Sequence, residues 1–182
     1  MKILLTLLIV SWLIPNEIDM NNRTFLREVQ TVFSVTPDKL VRLETQNMDD
    51  LGQSGQFFRV QSPEKGGFAW VGRVNSCRAG GCSDSKLPAD PVDLSAEFFD
   101  YFILFDVHGS IRSVRVFNYQ ASHGHGIMSR GWLRQFNGYS GDKKLEPGKN
   151  VDAISGATIS VQAITADVER RTLFLKTFIG KN

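Results

Sequence analysis

Two rhythms of apolar residues run along the chain. Between Arg23 and Phe33 the spacing is helical, with Leu26, Val29 and Phe33 aligned and Pro37 closing the segment. The period then shortens to two. Leu40 to Glu44 and Phe57 to Gln61 read as short strands separated by a link rich in Gly, Asn and Asp. Phe68 to Val74 places Phe68, Trp70, Gly72 and Val74 on one face and Ala69, Val71 and Arg73 on the other. A polar stretch from Asp84 to Ser95, with Pro88 and Pro91, reads as a loop. Two strong strands follow, Phe98 to Asp106 and Ile111 to Tyr119, joined by Val107-His108-Gly109-Ser110. In the first, Phe99, Tyr101, Ile103 and Phe105 alternate with Asp100, Phe102, Leu104 and Asp106, so both faces are fairly apolar and a strand covered on both sides is expected. Helical spacing returns from Ile127 to Phe136, where Met128, Trp132 and Phe136 should pack on the sheet. After the turn cluster Asn137 to Gly141, a long helix opens near Thr158 with Val161, Ile164, Val168, Leu175 and Ile179 near one face.

This order lacks regular strand–helix alternation. It predicts an α+β fold, a mainly antiparallel sheet with a long C-terminal helix. A chain of 182 residues, 42% apolar and 22% charged, has room for one domain with a real core. The expected division is residues 1–16 as a signal peptide or short anchor, 17–67 as a helix and strands packing on the domain, and 68–178 as the domain itself. A net charge of +2 is too small to argue for nucleic acid, and most of the thirteen Phe residues must be core. Met1-Lys2 followed by an apolar run from Ile3 to Ile14 and Pro15 matches a secretory signal, which predicts export to the periplasm or the outer face of the membrane. An uncleaved anchor or a buried first strand are the alternatives. Cys77 and Cys82, five residues apart with two Gly between, suit a loop disulfide in an exported protein, or an exchanging redox pair. No dinucleotide fingerprint, phosphate loop, Ser-His-Asp set or paired carboxylates stand out.

The chemistry concentrates in Asp152-Ala153-Ile154-Ser155-Gly156-Ala157-Thr158-Ile159-Ser160. Ser155, Gly156 and Ala157 are small enough to let backbone approach a bulky charged group. Thr158 offers a hydroxyl at a helix N-terminus, beside free N–H groups and the positive end of the dipole, which suits a phosphate. The plainer alternative is that Ser155 or Thr158 caps the helix.

Asp-x-x-Ser-Gly-Ala-Thr followed by a Ser resembles the flavinylation motif of the FMN-binding domain family, which includes the C subunit of the sodium-translocating NADH:quinone oxidoreductase and the G subunit of the Rnf complex. The resemblance is strongest from Phe68 to Phe178. It implies FMN attached to Thr158 through a phosphodiester, with Ser155, Gly156 and Ala157 as the turn and Asp152 as the upstream acid. It also implies a separate flavin transferase that transfers FMN from FAD with a metal ion. The hairpin resembles the family's strand, glycine turn and strand leading to a cofactor-side loop, and a flavin along one face would also explain its apolar character. That loop, Ala121-Ser122-His123-Gly124-His125-Gly126, keeps two glycines of the family's Glu-Thr-Pro-Gly-x-Gly but not its Glu, Thr or Pro. His123 beside the flavin, as a hydrogen-bonding partner, is the economical reading; an exposed turn residue or a shared metal site with His125 are the others. Trp132 could stack on the ring or simply pack, and Lys143, Lys144 and Lys149 could offset a phosphate or simply be solvated. The expected function is an exported electron carrier with covalent FMN, working with redox partner proteins such as those of a membrane electron-transfer chain. A flavin-dependent reductase with its own substrate, and a non-flavin partner-binding domain, are the alternatives.

Overall fold

The computed structural model describes residues 17–44, 55–62, 65–78 and 96–181. Five strands form one antiparallel sheet in chain order: β1 (Leu40–Arg42), β2 (Gly55–Val60), β3 (Gly67–Arg78), β4 (Ala96–Asp106) and β5 (Ile111–Tyr119). Two helices cover it. α1 (Arg23–Phe33) lies on one face and the 24-residue α3 (Thr158–Lys181) on the other, and a single turn, α2 (Arg130–Leu133), stands beyond β5. The α+β class and its C-terminal helix follow the expectation. Among the described residues, no helix is long and apolar enough to cross a membrane.

The alternating pattern of β4 is answered on both sides. Phe99, Tyr101, Ile103 and Phe105 join the larger core with Trp70, Val114 and the α3 residues Val161, Ile164, Val168 and Leu175. Phe102 and Leu104 join Ala69, Val71 and the α1 residues Phe25, Val29 and Phe33. Helix packing therefore accounts for the two apolar faces of this strand. On α1 it is Phe25, not Leu26, that is fully buried; its ring meets Phe102 at 5.3 Å, and Leu26 packs at the margin. Asn22 starts the helix by accepting the Thr24 N–H at 2.9 Å. Glu28 fastens it to β5 by accepting from Ser113 at 2.7 Å and Arg115 at 3.0 Å.

Three expectations are corrected. β1 ends at Arg42 rather than Glu44, and β3 runs four residues past Val74, so that Cys77 lies within the strand rather than after it. Cys82, the partner in the expected disulfide, lies outside the described residues, as does the expected signal peptide. The helix expected over 127–136 is broken into a 3₁₀ turn (His125–Met128), α2 and a second 3₁₀ turn (Arg134–Phe136), because Ser129 is extended and restarts the helix as an N-cap. Met128 is consequently turned outward, 39% exposed, and Ile127 and Leu133 are buried in its place, while Phe136 is buried as expected.

Bulges decide which side chains reach the α3 face. Asn75 pairs with Phe98 and Cys77 with Glu97, which leaves Ser76 as the extra residue of β3. In β5, Val116 pairs with Tyr101 and Asn118 with Asp100, which leaves Phe117 as the extra residue. Val114 and Val116 face α3. Strict alternation would send Tyr119 to the opposite face, and the bulge returns it to theirs, where its ring stacks on Phe99 at 5.7 Å and 9°.

Candidate functional site

The motif is an exposed arch between two buried anchors. Val151 and Ala157 are buried at 2% and 4% exposure, while Asp152, Ala153, Ser155 and Gly156 face solvent. α2 and the 3₁₀ turn after it hold the arch by its backbone at Asp152: the Trp132 indole Nε1–H donates to the Asp152 carbonyl at 2.8 Å, and the Asp152 N–H donates to Gln135 Oε1 of that turn at 2.7 Å. The Asp152 carboxylate itself is left to solvent. Trp132 is half-buried, edge-on to Phe136 at 5.5 Å and 83°. The turn after the arch closes with the Ala157 N–H on the Ile154 carbonyl at 3.1 Å, and Gly156 supplies the φ of 76° that this turn needs.

α3 begins at Thr158, which puts Ala157 at the N-cap position. A methyl group accepts no hydrogen bond, so the side chain at that position leaves the first-turn N–H groups of α3 uncapped. Thr158 is exposed, and among the described residues neither its hydroxyl nor that of Ser155 makes a hydrogen bond. The capping alternative for these two residues is not what the helix uses.

The histidine loop closes over this helix start. Gly124, with φ 89°, sits so tightly that a Cβ there would fall 2.4 Å from Ser160 Oγ and 2.7 Å from the Tyr119 hydroxyl. A Cβ at Gly126 would fall 2.9 Å from Ile154 of the arch. Gly124 and Gly126 are thus points at which the loop packs closely on the motif. Thr158, Ser155, Gly156, Ala157, Asp152, Trp132 and Gly124 gather in one region. His123 is exposed and enters it through its carbonyl, which accepts from the Tyr119 hydroxyl. The imidazole with a ring contact is that of His125, 4.7 Å from the Tyr119 ring and tilted by 43°. Among the described residues, no three His, Cys, Asp or Glu gather as they would around a metal ion. Of the three lysines, Lys149 is engaged with Glu146, and Lys143 and Lys144 are exposed.

Sequence reasoning passed over Tyr119, Ser160 and Ser76. Ser160 Oγ lies 3.0 Å from the Tyr119 hydroxyl and 2.8 Å from Ser76 Oγ, and both serines are buried. Burial pushes the Tyr119 phenol up from its ordinary pKa, with the Ser160 hydrogen bond working in the opposite sense. No pattern in the sequence signals this group, since two of its three members stand at or just beyond a bulge.

A family model described as the FMN-binding domain matches residues 98–171, from the start of the β4–β5 hairpin to the middle of α3. It covers the histidine loop and the whole motif. No curated protein matches the chain.

Proposed function

We propose, from the premise that this chain carries an FMN-binding domain, that FMN is attached covalently through Thr158 and that the protein is an exported electron carrier. One observation carries the attachment: the exposed Thr158 hydroxyl stands at the start of α3, behind an N-cap alanine that leaves the first-turn donors free. The surroundings fit a phosphoester. Among the described residues, nothing lies within 4 Å of the position a Cβ would take at Gly156, so space is open beside the turn. A phosphodiester keeps one negative charge, and a helix N-terminus favours it by about 0.3–1 kcal/mol.

In the attachment step, a flavin transferase with its metal ion supplies FAD. The Thr158 oxygen forms a bond to the FMN phosphorus, the pyrophosphate bond of FAD breaks, AMP leaves, and the hydroxyl proton passes to solvent. Once bound, FMN supplies the one- and two-electron redox chemistry. The chain's own residues then hold and shield it. Trp132 ties α2 to the arch and leaves a half-exposed aromatic face beside it. Gly124 and Gly126 bring loop backbone close to the motif, with His123 and His125 as the polar groups of that loop. A covalent bond also suits an exported carrier, because dissociated flavin would be lost by dilution.

The test is co-expression with a flavin transferase. Wild-type protein is expected to keep flavin fluorescence through denaturing electrophoresis, with the FMN mass on the peptide containing Thr158. Thr158→Ala should lose both while remaining folded, since alanine is a good helix former. An unmodified Thr158 despite active transferase and abundant FAD would overturn the attachment.

A further inference from the structure

We propose that Tyr119 is a positioning residue: its hydroxyl latches the turn at His123 and Gly124 to the first turn of α3, and so fixes where the histidine loop stands beside Thr158. The cofactor side of this inference rests on the function proposed above; the latch itself does not.

Proton counting gives the hydroxyl chain a direction. A tyrosine has one proton to donate, and the His123 carbonyl can only accept, so the Tyr119 proton is committed there. Ser160, 3.0 Å away, must therefore donate to the Tyr119 oxygen. Ser160 Oγ is then left to accept from Ser76, at 2.8 Å. The chain runs from the β3 bulge through the helix and β5 to the loop backbone. With Ser76 and Ser160 only 4% and 3% exposed, water is poorly placed to replace a missing member.

Two of these hydroxyl oxygens form the seat of Gly124, whose missing Cβ would collide with Ser160 Oγ and the Tyr119 hydroxyl. The loop is thus held by shape at Gly124, by a hydrogen bond at the His123 carbonyl, and by ring contact at His125. Ser160 lies two residues after Thr158 on the same helical turn. Whatever is attached at Thr158 meets a loop whose position the latch determines. A plainer role, in which the Tyr119 ring merely fills space against Phe99, predicts that the hydroxyl is dispensable.

Tyr119→Phe separates the two roles, because it keeps the ring and removes the hydroxyl. Hydrogen exchange on the full chain is expected to show about five- to tenfold faster exchange in residues 120–127, with β4 unchanged. In flavin-loaded protein the midpoint potential should move as well. Ser160→Ala should reproduce both changes, and it stands in if Tyr119→Phe fails to fold. Unchanged loop exchange in the folded variants would overturn the latch. A loosened loop with an unmoved potential would overturn the positioning role. If wild-type protein carries no FMN, the function proposed above fails, and the exchange arm, which needs no flavin, still decides the latch.

Discussion

Gly124 and Gly156 share a left-handed backbone, at φ 89° and 76°, but not an environment. Forcing an L-residue into that conformation costs about 1–2 kcal/mol at either site. At Gly156 that is the whole cost, because the added methyl meets nothing within 4 Å among the described residues. At Gly124 the methyl also strikes two hydroxyl oxygens and the Ser160 Cβ, at 2.4, 2.7 and 3.1 Å. Overpacking of that kind adds about 1–3 kcal/mol. Gly124→Ala should therefore lower the urea midpoint clearly more than Gly156→Ala, and equal losses would contradict the close seat described for the loop. The sequence made both glycines conspicuous. It could not rank them, since the difference lies in Ser160 and Tyr119, which arrive from other elements.

At the scale of one element, α3 buries more polar chemistry than its apolar spacing suggests. Val161, Ile164, Val168 and Leu175 are buried as that spacing predicts, and so are Thr165, Asp167, Arg171 and Thr172. Asp167 and Arg171 stand four residues apart, the spacing at which exposed helices carry ion pairs. Here the pair is internal. The Arg171 guanidinium meets the Asp167 carboxylate at 2.9 Å and lies 4.1 Å from the centre of the Trp70 ring, while Tyr101 donates to the same carboxylate at 2.6 Å. Burial, and then the Asp167 charge, push the Tyr101 phenol well above its ordinary pKa. Asp167→Asn keeps the shape and removes the charge, leaving the buried guanidinium without this carboxylate. A loss of about 3–5 kcal/mol in chemical denaturation is expected; a loss below about 1 kcal/mol, the range of exposed pairs, would show that the pair behaves as a surface one. The short helix region departs from its apolar spacing for a related reason. Its apolar spacing was real, but Ser129 restarts the chain direction, and the inward face passes from Met128 to Ile127 and Leu133.

For the molecule as a whole, the fold was largely legible, because strands with period two and helices with period near 3.6 carry their own signatures. What escaped were the bulges at Ser76 and Phe117, each a single residue out of phase, and with them the hydroxyl chain behind the motif. Export belongs to this scale too, being a property of the whole chain that its first residues, Met1 to Pro15, suggest. Fractionation of the native host should find the flavin-bearing protein outside the cytoplasm, and recovery wholly in the cytoplasm would end that part of the proposal. The order of elements has a temporal consequence. All five strands precede α3 in the chain, and the arch takes its shape from Val151, Ala157 and α2 packed against them. A nascent chain that has made the sheet but not yet docked the helix has a threonine there, but no shaped turn around it. Modification of Thr158 by an enzyme that reads the turn would then be a proofreading step, marking only chains whose last helix has found its place.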